Sequence, residues 1–339
     1  MSRALDKSTR DALGDGDQGE SFEKIASVLL GPTDTAGSLL EIELLGYSHG
    51  LNPATYFLRD GNAIAIPKLR LVQAFVHARH IFRTCKAQGL ASSGQTIRRA
   101  TAVMLLSDPE NLTAANARKI VLTDALSSAK DVAALLTREK MFIDSLLTSR
   151  LHRHTKSPNL WSHRRWLVDR YREAGLAMDV AEDMKTVVFV SGERHPRNYY
   201  AWCHARYLIR LLEADCKTRP DAAVSTILGD AKRWCFDHHS DISGWMFLLF
   251  LLERCPAGAG LVLTETMKLA ESLRWRNESV WYFLRNMPAA RVAGLHEELF
   301  YCTWQSVRKE TQEGSQERKV LDGASSWMQT YAKAPANRY

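Results

Sequence analysis

The sequence predicts an all-α protein, a right-handed α–α superhelix (solenoid) of antiparallel helical hairpins. Three observations predict it. Short apolar stripes at helical spacing run through most of the chain, a tryptophan recurs at intervals near forty residues, and a helix-capping residue stands four positions before each recurrence. The 339 residues, 45% of them hydrophobic, suffice to bury a substantial core.

Residues 1–20 are charged and contain glycine but no apolar stretch, which reads as a disordered, leaderless start of a cytoplasmic protein. Ser21 to Leu30 form an amphipathic helix with Phe22, Ile25, Ala26 and Leu29 on one face. The segment 31–67 is rich in Gly, Pro and Asn and alternates at Leu40, Ile42 and Leu44, so it is expected to be irregular with a small strand or two. Leu69, Val72, Phe75, Val76, Ile81 and Phe82 then describe a helical stripe, and Gly89 to Gly94 a loop. The expected organisation is therefore a disordered 1–20, a divergent helical or irregular segment 21–95, repeats over 96–305, and a C-terminal helix and tail over 306–339.

The repeat carries most of the argument. Trp161, Trp202, Trp245 and Trp281 stand 41, 43 and 36 residues apart, room for two helices and two turns, and Ala115 holds the same place 46 residues before Trp161. Four residues before these anchors lie Asn111, Ser157, Asn198, Asp241 and Asn277, all side chains that can accept a hydrogen bond from the first turn of a helix. Pro158 follows Ser157 at the first helical position, where its missing N–H costs nothing. Gly175 ends one anchor helix. The stripes Val180, Met184, Val187, Val188 and Ile227, Ala231, Trp234 mark the helices that return. Single hairpins cannot bury their own faces and must stack on their neighbours.

Charge and cysteines limit the function classes. The net charge is +7, and Lys140 to Arg210 hold thirteen Lys/Arg against seven Asp/Glu, with five histidines. No nucleic-acid-binding signature accompanies this excess, so nucleic acid is not the expected partner. The apolar run Trp245 to Leu252 is too short to span a membrane. The six cysteines show no metal-ligand or disulfide spacing and read as reduced packing thiols. His238-His239 reads as a pair of turn histidines, because adjacent side chains diverge.

Two copies of the motif are rich, Trp161-Ser162-His163-Arg164-Arg165-Trp166-Leu167 and Trp202-Cys203-His204-Ala205-Arg206-Tyr207-Leu208. Helical spacing puts Leu160, His163, Arg164 and Leu167 on one face, which draws the His and Arg inward. Buried polar groups need partners, so loop carbonyls or carboxylates of the adjacent hairpin are expected there. Trp161, His163, Arg164, Arg165, Trp202, His204, Arg206, Trp245 and Trp281 are read accordingly as the anchors and braces of the repeat.

The stretches Lys156-Ser157-Pro158-Asn159-Leu160-Trp161-Ser162-His163-Arg164-Arg165-Trp166-Leu167 and Arg197-Asn198-Tyr199-Tyr200-Ala201-Trp202-Cys203-His204 resemble the repeat of protein prenyltransferase α subunits, a basic residue followed by Asn-Tyr-x-x-Trp-x-His-Arg-x-Trp. Asp108 to Lys119 and Asn277 to Trp281 resemble weaker copies, and the first repeat and divergent N-terminal segment are closest to the orphan-type α subunit of type III geranylgeranyltransferase. The resemblance implies an α-type subunit that wraps a β subunit, of the Rab geranylgeranyltransferase type, and is inactive alone. The pair would transfer a geranylgeranyl group to a C-terminal cysteine of an acceptor protein. It implies no cofactor in this chain, with zinc and the isoprenoid diphosphate on the β subunit. Lys156 stands at the family's diphosphate-facing lysine, and a positioned ammonium stabilises charge that builds on a departing diphosphate. The family also places a Tyr-His pair beside the diphosphate, where Tyr199 matches the tyrosine and Tyr200 replaces the histidine. Asn159 stands where CaaX enzymes have a glutamine that reaches the acceptor's terminal carboxylate. Arg197 reads either as a second phosphate contact or as a surface charge. The alternative function is a non-catalytic helical-repeat scaffold whose basic face binds acidic protein partners.

Overall fold

The structure is a computed structural model that describes residues 17–31, 38–46, 49, 52, 54–89, 93–215, 221–289 and 297–331. Most of the segment expected to be disordered (1–20), part of the loop at 89–94, Cys216 and the tail 332–339 lie outside the described residues. The chain forms two compact units, Met1–Met178 and Asp179–Tyr339.

In the first unit α1 (Gln18–Leu30) starts on Asp17, whose carboxylate accepts from the Glu20 N–H at 2.8 Å, and buries Phe22, Ile25, Ala26 and Leu29. It packs on α2 (Lys68–Gln88), which in turn packs on α3 (Gly94–Ser107). The buried stripe of α2 differs from the expected one. Leu71, Ala74, Ala78, Phe82 and Cys85 face inward, whereas Val76 is 44% exposed. A helix held between two others turns its small residues to the contacts, because alanines let the backbones approach. Gln73 is buried on the same face, bonded by Ser21 Oγ (3.2 Å) and Arg70 Nη1 (2.9 Å).

Among its described residues the segment 31–67 holds three strands rather than one or two: β1 (Glu41–Leu45), β2 (Leu58–Asp60) and β3 (Ala63–Pro67), in the order β1-β3-β2. β1 runs parallel to β3, and β2 pairs with β3 as a hairpin whose turn residue Gly61 has φ +57°. The Asp60-Gly61-Asn62 sequence is the local signal for that turn. The helices α4 (Leu112–Ser128), α5 (Val132–Thr148), the single turn α6 (His152–Thr155) and α7 (Pro158–Glu173) complete the unit, with α5 packed on both α4 and α7. Leu40 N–H donates to Ser145 Oγ at 3.0 Å and ties the sheet to α5. Gly175, at φ +66°, turns the chain at the end of α7 while Leu176 N–H closes on the Tyr171 carbonyl at 3.0 Å.

The second unit is a two-layer stack. Its first helix, α8 (residues 180–194), is α-helical over Val180–Asp183 and Val190–Arg194, with a π segment Met184–Phe189 between. It is followed by α9 (Tyr199–Asp215), α10 (Asp221–Asp237), α11 (Ile242–Leu252), α12 (Ala259–Ser272), α13 (Glu278–Ala289), α14 (Glu297–Lys309) and α15 (Gln316–Tyr331). In one layer α9 packs on α11, α11 on α13 and α13 on α15. In the other α8 packs on α10 and α12 on α14. The chain is thus a helical-repeat protein with one small sheet. Among the described residues no single helix is long and apolar enough to cross a membrane, and the apolar side chains of α11 are buried in the stack. Cys85, Cys203, Cys235, Cys255 and Cys302 are free thiols.

Candidate functional site

The anchor helices α4, α7, α9, α11 and α13 begin alike. The side-chain oxygens of Asn111, Ser157, Asn198, Asp241 and Asn277 accept from the N–H three residues on, at 3.0, 3.2, 3.3, 3.2 and 3.1 Å. The buried indoles of Trp161, Trp245 and Trp281 donate back to the carbonyl six residues earlier, that of Thr155, His239 or Trp275, at 2.8, 2.9 and 2.7 Å. Each tryptophan therefore holds both the helix core and the loop that enters it. Trp202 is equally buried, but its indole N–H has no hydrogen-bond partner among the described residues.

The entering loops also hold one another. In the first unit Ser157 Oγ and Asn159 Nδ2 both donate to the Pro109 carbonyl, at 3.3 and 2.8 Å. In the second, Asp241 Oδ2 accepts from the Arg197 N–H at 2.6 Å, Ser279 Oγ donates to the Ser240 carbonyl at 2.9 Å, and Asn277 Nδ2 donates to His239 Nδ1 at 2.8 Å. Arg197 has φ +58°, a left-handed conformation unfavourable to a residue with a Cβ, and the bond to buried Asp241 helps to hold it there. His238 and His239 diverge. One stacks on Trp234 (4.2 Å between ring centroids) and the other on Trp275 (5.0 Å).

Behind the anchors of the first unit lies a buried charged brace. Arg118, three residues after Ala115, grips Glu139 of α5 with Nε and Nη2, both at 2.7 Å, and Nη1 donates to the Arg98 carbonyl at 2.6 Å. Arg164, three residues after Trp161, donates to Asp144 of α5 at 2.8 Å. Helix α5 therefore offers one carboxylate to the anchor helix before it and one to the anchor helix after it. His163 Nε2 lies 3.3 Å from Glu139 Oε1. Burial alone would raise the Glu139 carboxyl, but the Arg118 charge and the contacts from His163 and Arg118 hold it well below the usual carboxylate range. Burial lowers the proton affinity of His163, while Glu139 beside it acts in the opposite direction. His154, also buried, is pushed down to about 4 by burial and donates from Nε2 to the Leu105 and Leu106 carbonyls.

In the second unit the corresponding contacts are aromatic. Trp202 meets Phe247 at 5.3 Å and Trp245 meets Phe283 at 4.8 Å, so an anchor contacts the ring two residues past the next anchor. His163 and His204 occupy that place in the two rich motifs, and both are buried.

Arg165 and Arg206, one position beyond Arg164 in the motif, do not belong to the buried brace. Arg165 is exposed. Arg206 is half-buried, its guanidinium carbon 5.6 Å from the Phe250 ring centroid. The same pattern recurs in the first unit, where Lys119, four residues after its anchor, lies 5.8 Å from the Trp166 ring. Both rings also receive a cation from four residues further along the chain, Arg170 over Trp166 (5.7 Å) and Arg254 over Phe250 (3.6 Å). Sequence reasoning missed this pairing. The one available signal was the basic residue four places past most anchors.

The residues assigned to the diphosphate lie in two units. Lys156 is exposed in the turn between α6 and α7, and its ammonium makes no ion pair among the described residues. Arg197, Tyr199 and Tyr200 are exposed at the start of α9, with the two tyrosine rings edge to face at 5.4 Å. The Asn159 amide donates to the Pro109 carbonyl, which commits that donor to the loop. Among the described residues no three His, Cys, Asp or Glu side chains come together as a metal site.

Hairpins of about forty residues, each opened by a capped helix and anchored by a buried tryptophan, define a helical-repeat protein. Comparison with known proteins agrees with that class. Residues 160–273 match the family model described as the ECM9 middle domain. The chain is similar to Protein ECM9 of Saccharomyces cerevisiae, 28% identical over 191 residues that cover 56% of this chain and 48% of that protein. It is also similar to Protein prenyltransferase alpha subunit repeat-containing protein 1 of Homo sapiens, 30% identical over 173 residues, 45% of this chain and 39% of the human protein. Protein prenyltransferase alpha subunit repeat-containing protein 1-B of Xenopus laevis is 30% identical over 172 residues, 45% and 36% of the two chains. The chain thus spans less than half the length of these relatives, two of which are named for the prenyltransferase alpha subunit repeat.

Proposed function

We propose that this chain is the α-type subunit of a heterodimeric protein prenyltransferase. It pairs in the cytoplasm with a β subunit of the Rab geranylgeranyltransferase type, which holds the zinc and the isoprenoid diphosphate. The pair transfers a geranylgeranyl group to a C-terminal cysteine of an acceptor protein, and this chain is inactive alone. The acceptor's thiolate attacks the allylic carbon, a thioether forms, and diphosphate leaves. The observation that carries the reading is Lys156, an exposed ammonium without a carboxylate partner among the described residues, five residues before a repeat anchor. Negative charge builds on the diphosphate oxygens as the bond breaks, and a cation held there acts most strongly in that transition state.

Co-expression with a Rab-type β subunit tests the assembly, and labelled geranylgeranyl diphosphate with a Cys-Cys-ended acceptor tests the reaction. Lys156→Ala is expected to slow transfer on the order of a hundredfold while the heterodimer still assembles. Loss of assembly would instead give Lys156 a structural role. A second reading, a scaffold for acidic partners, is favoured by Asn159, whose amide is used within the fold, and by Tyr200, which brings no positive charge. A chain that stays monomeric with every β subunit offered would leave that reading in place.

A further inference from the structure

We propose that the surface formed by Arg206, Arg210 and Arg254 around Phe250, with Tyr199 at its edge, binds an acidic protein segment: a helix that presents carboxylates one turn apart. The inference does not rest on the transferase reading, because it concerns the second unit alone and requires no β subunit.

Three guanidiniums share one ring. Their central carbons lie 5.6, 5.8 and 3.6 Å from the Phe250 centroid. Arg254 has a carboxylate, Glu213, at 2.9 Å, whereas Arg206 and Arg210 have none among the described residues. Like charges so crowded repel one another. Burial above all makes the Arg206 proton less tightly held than usual, and Arg210 and Arg254 add to this against the opposing effect of Cys203 and Tyr199. Packing on Phe250 holds the cluster together in the free chain, and an incoming anion would relieve its repulsion.

The shape of the cluster selects the anion. Arg206 and Arg210 are four residues apart on α9, and such side chains are neighbours on a helix surface. Their planar forks match carboxylates that repeat at the same interval on a facing helix. Tyr199 lies on the same face, seven and eleven residues before the two arginines, and is 68% exposed. Arginine and exposed tyrosine together are the residue types that anchor protein interfaces. Three cations beside one Glu make a short and mixed patch, unlike the long basic track that a nucleic-acid backbone requires.

The test uses the full-length chain and a labelled amphipathic helical peptide with glutamates at four-residue spacing. The same peptide with glutamine in those places is the control. The glutamate peptide is expected to bind at least tenfold more tightly than the control. Arg210→Glu is expected to weaken it at least tenfold, while Arg233→Glu, an exposed change on α10, leaves it unchanged. Equal binding of the two peptides, or full binding by Arg210→Glu, would overturn the proposal. Arg210-dependent competition by a single-stranded RNA at lower concentration than the peptide would overturn the partner class. Thermal unfolding of Arg210→Gln keeps the test independent of folding. Removing a like charge should leave Tm equal or higher, and a fall of several degrees would make this arginine a structural residue instead.

Discussion

Glu139→Gln tests whether the charged brace holds the first unit together. The carboxylate is 1% exposed, accepts two Arg118 N–H groups at 2.7 Å, and has Arg98 Nη2 at 3.7 Å. An amide keeps the volume, gives up the charge, and turns one acceptor into a donor that faces Arg118. Arg118, itself fully buried, then remains a cation without a counter-ion, and removing one partner of a buried pair costs about 3–5 kcal/mol. Arg118 keeps its bonds to the Arg98 carbonyl and to Thr101, which argues for the lower end, about 3 kcal/mol. Replacing both partners, Arg118→Met with Glu139→Leu, should recover most of that loss, because no charge is then stranded. Urea unfolding at pH 7, with hydrogen exchange of α4 and α5 to localise the change, measures both variants. A loss below about 1 kcal/mol in Glu139→Gln, or a double variant no better than the single one, would show that the brace does not carry the packing.

Three further outcomes follow from the same geometry. Gly244 lies beneath Trp234, and an added Cβ would sit 2.4 Å from ring atom Cζ3, so Gly244→Ala should cost about 1–3 kcal/mol in the second unit and lower Tm by several degrees; an unchanged Tm would mean that the ring moves aside freely. Asp241 caps α11 through Oδ1 and takes the Arg197 N–H through Oδ2, so Asp241→Ala should cost roughly 2–3 kcal/mol in urea unfolding, more than a cap alone. His154 has a folded pKa of about 4, below its unfolded value, so its contribution is complete above about pH 6.5 and is lost as pH falls from there toward 4, roughly 2 kcal/mol of it by pH 5. Urea midpoints at pH 7.5 and 5 should therefore differ less in His154→Gln than in the unaltered chain, and an identical pH dependence would sink the assignment.

The repeat, its five caps and the depth of its tryptophans were legible in the sequence because they are local. A cap and the N–H it accepts are three residues apart, so the pattern is written within one helical turn. The inward His163 and Arg164 could be read in the same way from helical spacing. Their partners could not. Glu139 and Asp144 look like ordinary surface acids in the chain, and only the closing of α5 between two anchor helices brings them to Arg118 and Arg164. The same limit hid the small sheet, whose β1 partner lies some twenty residues away at β3, and rotated the face of α2, which its two neighbours select rather than its own stripe. It also hid the difference between Arg164 and Arg206. A one-residue step along a helix turns a side chain by about 100°, enough to move a guanidinium from a buried carboxylate to the Phe250 ring on the next repeat. Local chemistry therefore sets where each helix starts and how deep its tryptophan lies. Packing between repeats sets which charges are neutralised and which, like Arg206 and Arg210, are left facing outward.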